Sequence, residues 1–266
     1  MKIKIYIFLF ISTILVIYNL IQIRFFKVNK IVLNSPKVSN DLNIVQITDF
    51  HNNKLINKKK LIREIKNIKP NLIFLTGDII DFKTKDYSYT LELIDSLTDI
   101  TSKIYFVWGN HERRNPQGER FMEELKNREV IVLDNKNVKV NVNNNKINII
   151  GLDFFIDEKG YRKVMEGIDE KNFTILLSHS PNRPLRYLKG KEDLILSGHT
   201  HGGQVRLPII GAIVSPGQGY FPKYDKGLFK LENSILYIDS GLGNSVLPIR
   251  FLNRVQFTNI IIKKTL

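Results

Sequence analysis

The sequence predicts a layered α/β fold containing a mixed sheet, preceded by one apolar N-terminal segment long enough to cross a membrane. Three observations predict it: an uncharged run from Ile5 to Ile23, a β-α-β-α-β alternation over residues 43 to 108, and a β-hairpin pattern between Asn137 and Gly151.

The first element is the run IYIFLFISTILVIYNLIQI, which at about 1.5 Å per residue is just long enough to span a bilayer core of about 30 Å. It is long for the apolar core of a signal peptide, and no Ala-x-Ala box follows it, so an uncleaved anchor over residues 1–24 is expected. Lys2 and Lys4 precede the run while Arg24, Lys27 and Lys30 follow it, and charge this evenly divided assigns no membrane side. Residues 25–42 read as a connector carrying a short strand around Val28 to Leu33, and a globular domain is expected over 43–266.

Within that domain, short apolar runs suited to buried strands occur at Asn43 to Thr48, Leu72 to Thr76, Ile104 to Trp108, Val130 to Leu133, Phe173 to Leu177, Leu194 to Ser197 and Ile235 to Ile238. Helical spacing appears at Lys59 to Ile68, Thr90 to Leu97 and Arg120 to Lys126. The pattern VKVNV, Asn143-Asn144-Asn145, INII predicts a hairpin, which makes the sheet mixed rather than purely parallel. Leu207 to Leu228, punctuated by Gly211, Pro216, Gly217, Gly219 and Pro222, reads as a long irregular loop, a length associated with function or disorder.

Composition bounds the chemistry. The chain has 266 residues and no cysteine, which excludes disulfides, thiolate zinc sites and a cysteine nucleophile. A net charge of +14 and a pI near 9.7 suit a polyanion, an anionic membrane or a phosphorylated substrate. A coding bias gives the same lysine excess, since the chain is also rich in isoleucine and asparagine and has Ala212 as its single alanine.

Each of the 5 histidines follows an apolar strand run: His51 after IVQITD, His111 after IYFVWGN, His179 after TILLS, and His199 and His201 after LILSG. Asp49, Asp78 and Asn110 share this placement, and in layered α/β folds the carboxyl ends of strands are where ligands gather. Imidazole nitrogens with carboxylate and amide oxygens, and no sulfur, suit Mn²⁺, Fe²⁺ or Zn²⁺. Asp49, His51, Asp78, Asn110, His179, His199 and His201 are too many donors for one ion and fit two ions sharing a carboxylate. If the chain is extended there, Asp49-x-His51 and His199-x-His201 each present two donors to one side.

Asp49-Phe-His51, Gly77-Asp78-Ile-Ile-Asp81, Gly109-Asn110-His111-Glu112, Ser178-His179 and Gly198-His199-Thr-His201-Gly-Gly, in this order, resemble the motif blocks of the calcineurin-like metallophosphoesterase family. Ser197 to Pro208, with Gly241-Leu-Gly-Asn-Ser and Pro248-Ile-Arg250, resembles a membrane-anchored bacterial branch, some members of which are similar to UDP-2,3-diacylglucosamine pyrophosphatases. Val255-Gln256 departs from that branch, which usually has Pro-Glu there, and lies outside the metal motifs. The resemblance implies a four-layer α/β/β/α sandwich. It implies Asp49, His51 and His201 on one metal, Asn110, His179 and His199 on the other, and Asp78 bridging. It also implies His111 as the catalytic group meeting the phosphoryl or leaving oxygen. Asp81 and Glu112 are open between orienting and purely structural roles, and Arg113 and Arg114 between gripping phosphate and simple solvation.

The expected activity is hydrolysis of a phosphodiester or pyrophosphate with two divalent ions, on a phosphorylated substrate that includes lipid-linked ones at the membrane. A nuclease or cyclic-nucleotide phosphodiesterase, with nucleic acid as partner, is the first alternative, although no aromatic-plus-basic stripe is evident. A non-catalytic metal-binding membrane scaffold is the second.

Overall fold

The computed structural model describes residues 2–188, 190–244 and 247–265. The apolar run forms helix α1, Lys2–Arg24, long and apolar enough to cross a membrane and exposed along most of its length. The chain then enters β1, Lys27–Ser35, which includes the short strand expected at Val28 to Leu33.

The β-α-β alternation follows as β2 (Leu42–Ile47), α2 (Lys58–Ile68), β3 (Leu72–Leu75), α3 (Ser88–Thr98), β4 (Ile104–Phe106), α4 (Asn110–Arg114), α5 (Gly118–Asn127) and β5 (Ile131–Val132). α2 shows why such segments become helices. The Asn57 side chain accepts from Lys60 N to cap its start, Leu61 and Ile65 bury one face, and Lys69 closes it in the left-handed conformation. The predicted hairpin is β6 (Lys136–Val142) and β7 (Asn145–Leu152). Its turn residues Asn143 and Asn144 have φ of 49° and 61°, the left-handed pair that a two-residue hairpin needs and asparagine tolerates.

The second half comprises α6 (Glu158–Val164), β8 (Phe173–Ser178), α7 (Asn182–Tyr187) and β9 (Leu194–Ser197). The segment read as an irregular loop holds two small hairpins instead, β10 (Arg206–Leu207) with β11 (Gly211–Ala212) and β12 (Val214–Ser215) with β13 (Gly219–Tyr220). Two-residue strands are too short to show a period of two. β14 (Gly227–Lys230), β15 (Ile235–Ile238) and β16 (Gln256–Lys264) complete the chain.

Among the described residues these strands build two six-stranded sheets, ordered β1-β16-β2-β3-β4-β5 and β14-β15-β9-β8-β7-β6. Both are mixed: β2 to β5 run parallel with β16 antiparallel to β2, and β7, β8, β9 and β15 run parallel between antiparallel β6 and β14.

Alternating side chains sort the core into layers. Ile44, Leu72, Phe74 and Tyr105 of the first sheet meet Ile149, Ile175, Leu196 and Tyr237 of the second between the sheets. Val45, Ile47, Ile73 and Phe106 point the other way, against Leu61, Ile94 and Phe121 of α2, α3 and α5. Ile150, Leu176 and Ile238 pack on Tyr161 and Val164 of α6 and Tyr187 of α7. The architecture is the expected four-layer α/β/β/α sandwich, and the parallel strands of both sheets deliver their carboxyl ends to one edge.

Candidate metal centre

Five loops leave that edge. Those after β2, β3 and β4 carry Asp49 and His51, Asp78, and Asn110 and His111, while those after β8 and β9 carry His179, and His199 and His201. Bonds between the sheets fix their mutual position: Gln46 donates to Ser197 O at 3.0 Å, and His179 Nδ1 lies 2.8 Å from Thr76 O.

Among the described residues the donors fall into three groups, one of which, His51, Asp81 and His111, shares His51 with the group of Asp49 and His201. Ring or carboxylate atoms of Asp49, His51 and His201 lie within 4.8 Å of one another, as do those of Asp78, His179 and His199. Asp78 Oδ2 stands between the groups, 3.1 Å from His179 Nε2 and 3.8 Å from His51 Nε2. All seven candidate metal residues are thus brought to one place, with Asn110, His111, His199 and His201 lining a cavity of about 340 Å³ together with Arg114, Phe154, Pro216 and Gly217.

Convergence does not come from an extended chain. Asp49, His51, Asp78, His199 and His201 have φ between 49° and 69°, in the left-handed region that non-glycine residues seldom occupy. The i, i+2 pairs are therefore presented by tight turns. His199 N donates to both Asp49 oxygens at 3.2 and 3.1 Å, which ties one turn to the other. Such conformations cost about 1–3 kcal/mol each and persist only where surrounding structure fixes them.

Glycine makes room beside these turns. A Cβ on Gly198 would fall 2.1 Å from Thr48 Oγ1 and 2.3 Å from Asp49 Oδ2, and one on Gly109 would fall 2.1 Å from Asp78 Oδ1.

The residues present fit divalent ions. With His179 Nδ1 directed at a backbone carbonyl, its Nε2 turns to Asp78 Oδ2 3.1 Å away in a buried place, where the carboxylate calls for a positive charge that either a proton on Nε2 or a metal ion would supply. His179 Nε2 and Asn110 Oδ1 are also buried without a hydrogen-bond partner among the described residues. Burial opposes a charge on His179, yet Asp78 and Asp49 raise its pKa to about 10. For His199, burial and then the His179 charge depress it to about 3. Burial raises the Asp49 carboxyl, and although burial opposes it, the surrounding histidines hold Asp78 well below the ordinary carboxylate range.

Both residues left open in sequence have definite partners. Glu112, fully buried, accepts from the backbone N–H groups of Asp78 (2.9 Å), Ile79 (2.5 Å), Ile80 (3.1 Å) and Gly109 (3.0 Å), joining the Asp78 loop to the Asn110 loop. Burial, then the Asp78 charge, pushes its pKa up to about 7.

Asp81 Oδ2 lies 3.0 Å from His111 Nδ1 and 3.6 Å from His51 Nδ1. Phe82 N also approaches His111 Nδ1 at 3.3 Å, but a nitrogen that donates cannot accept as well. The shorter, charge-assisted bond to Asp81 decides in favour of donation. Nε2 of His111, a residue that lines the cavity, then lies 3.8 Å from Asp78 Oδ2. Burial lowers the His111 pKa, and the Asp81 hydrogen bond and Asp78 charge more than reverse this.

Arg113 is occupied elsewhere: it bonds Asp153 at 2.5 Å and Asp134 at 3.0 Å and stacks 3.7 Å from the centre of the Trp108 ring. Arg114, in contrast, stands exposed at the cavity rim.

Sequence reasoning missed two supports of the centre. Phe154 packs its ring on His179 and His199 at 6.0 and 5.3 Å, and buried Arg250 donates to Ser240 O and Gly243 O at 2.6 Å while standing 3.5 Å from His201 Nδ1. The Pro248-Ile-Arg250 match was the available signal for the second, and Phe154 had none.

A double sheet with a buried histidine and aspartate cluster at its carboxyl edge is a layered α/β architecture whose edge residues could hold metal ions. A family model described as calcineurin-like phosphoesterase matches residues 42–203, and the chain belongs to that family. It is 31% identical to the uncharacterized metallophosphoesterase YkuE of Bacillus subtilis over 84% of this chain and 79% of that protein. It is 27% identical to a Bos taurus "transmembrane protein with metallophosphoesterase domain", over 86% of this chain and 54% of that one.

Among solved structures, TT1561 of Thermus thermophilus is similar with a TM-score of 0.52 at 11% identity, over 76% of this chain and 90% of that one. The NAD nucleotidase NadN of Haemophilus influenzae is similar at 0.51 and 19%, over 76% and 46%. At such identities these two structures speak for the fold alone. The chain is a metallophosphoesterase whose histidine and aspartate groups are consistent with a dinuclear metal site.

Proposed function

We propose that the chain uses two divalent metal ions to hydrolyse a phosphodiester or pyrophosphate at a membrane, a lipid-linked diphosphate being the favoured substrate class. In this proposal Asp49, His51 and His201 hold one ion, Asn110, His179 and His199 hold the other, and Asp78 is shared. Mn²⁺, Fe²⁺ or Zn²⁺ suits these donors. The observation that carries the proposal is Asp78 Oδ2, set against a ring nitrogen from each group at 3.1 and 3.8 Å. α1 serves as the anchor, a reading supported by its length and exposure and by the word "transmembrane" in the bovine relative's name.

Bound there, two ions supply charge to the phosphoryl oxygens and lower the pKa of a water for in-line attack. The chain's own residues complete the chemistry. Asp81 holds His111 through Nδ1, which directs Nε2 toward the departing oxygen, and against the effect of burial this hydrogen bond raises the His111 pKa and so favours the protonated form that a general acid needs. Arg114 offers the substrate phosphate a charge from the rim. Phe154 packs against the rings of His179 and His199 and limits their movement.

The test uses the full chain in detergent, stripped of metal and resupplied with Mn²⁺, Fe²⁺ or Zn²⁺. Its substrates are bis-p-nitrophenyl phosphate and a lipid-linked diphosphate in mixed micelles. Metal-restored turnover of both, with the higher kcat/KM on the lipid, is expected. Steeply salt-dependent turnover of DNA or RNA would move the substrate to nucleic acid. Metal binding with no turnover of any substrate would leave a non-catalytic scaffold.

A further inference from the structure

α1 is bonded into the rest of the molecule rather than tethered to it. Asn19 donates to Pro248 O at 2.9 Å and accepts from Arg250 N at 2.8 Å, Leu252 N donates to the Tyr18 hydroxyl at 3.3 Å, and Val255 N donates to Gln22 O at 3.0 Å. Tyr18 and Phe251 pack ring to ring at 5.5 Å.

This docking has a consequence for depth. A helix rises about 1.5 Å per residue, and a bilayer core of about 30 Å takes about 20 residues. The uncharged stretch of α1 lies between Lys4 and Arg24 and has no length to spare. With those two charges at opposite interfaces, Tyr18 sits roughly 9 Å to the lipid side of Arg24. Residues 248–252, bonded at that level, share its depth. Backbone groups there need partners in place of water, and Asn19 and Tyr18 supply them.

The rim extends from this point. Gln204 donates through Nε2 to Leu247 O at 2.7 Å, and Arg206 N donates to Phe251 O at 3.0 Å, which fastens the two small hairpins to the same segment. The rim and hairpins expose Ile209, Ile210, Tyr220, Phe221, Leu247 and Ile249, an apolar set tied to the exposed apolar helix α1 through residues 248–252.

We infer that this rim and the β10–β13 hairpins are seated in the lipid bilayer around α1, at the depth of about 5–10 Å typical of interfacial apolar surfaces. The inference rests on the anchor reading of α1 and is independent of the substrate. Pro216 and Gly217 connect the seated hairpins to the wall of the candidate metal cavity, which therefore opens beside the membrane surface.

The chain has 1 tryptophan, Trp108, and it is buried, so an added one can be observed. Full-length Ile249→Trp, Ile209→Trp and Ile131→Trp proteins are reconstituted into phosphatidylcholine vesicles with or without bromine on the acyl chains. Ile131 lies on β5, at the opposite edge of the first sheet from β1. About twofold loss of the added emission is expected at 249 and 209, and none at 131. Leu247→Trp repeats the measurement should Ile249→Trp not fold. Quenching at 249 and 209 no greater than at 131, in a chain that resists carbonate extraction, overturns the seating alone. Release of the wild-type chain by carbonate overturns the anchor and the seating with it.

Discussion

Replacing Glu112 with glutamine separates the support of the metal centre from the centre itself. Each carboxylate oxygen of Glu112 takes two backbone N–H groups, Asp78 and Gly109 on Oε2 and Ile79 and Ile80 on Oε1. Glutamine retains one oxygen and turns an NH₂ group toward the other two donors. Two charge-assisted bonds, about 1.5–3 kcal/mol each, are lost and two donor–donor contacts appear. The gain that offsets this is release of a buried charge, whose cost is evident in a pKa pushed up to about 7. A net destabilisation of roughly 1–3 kcal/mol follows. The Asp78 and Asn110 loops lose their common tie, so metal affinity falls about 10–100-fold, as for other residues that hold ligands in place. Thermal unfolding and competition with a graded chelator measure the two effects on the full chain. Wild-type metal affinity in a folded Glu112→Gln protein would refute the reasoning.

The other predictions concern single steps. His111→Gln is expected to lower kcat about 10²–10⁴-fold with metal content unchanged, and a loss of bound metal instead would make His111 a ligand. Gly198→Ala forces a methyl group against Thr48 and Asp49 and is expected to destabilise by roughly 1–3 kcal/mol; an unchanged Tm and metal content would count against the crowding. Chelation is expected to lower Tm, since an ion at 100 times its Kd stabilises by about 2.7 kcal/mol, and calorimetry showing no shift would mean the site is unloaded or does not bind.

Much of this was legible in the sequence because strand ends and ligands coincide. Seven strand runs and three helices were visible from apolar period alone, and their order placed every histidine at a carboxyl end. β16 was missed although Ile260-Ile-Ile262 is β-branched, because Asn259 and the flanking polar residues break the run that a buried strand normally shows. α4, α6 and α7 are too short to reveal a helical period.

At the site, residue types and order foretold which side chains would meet, while the physical reason differed. Extended i, i+2 geometry was the expectation, and left-handed turns at Asp49, His51, His199 and His201 are what the chain adopts. Local propensity disfavours those conformations, so they belong to the tertiary bonds around them, such as His199 N to Asp49. The same holds for Glu112, whose role rests on four backbone groups that only the folded loops bring together.

The most direct test is a titration of metal-stripped, full-length protein with Mn²⁺, following bound metal and turnover of bis-p-nitrophenyl phosphate together, with Asp78→Ala in parallel. A dinuclear centre sharing Asp78 predicts that turnover rises to a break at about two equivalents and is absent from the folded variant. Full turnover at one equivalent, or an Asp78→Ala protein as active as wild type, would contradict it.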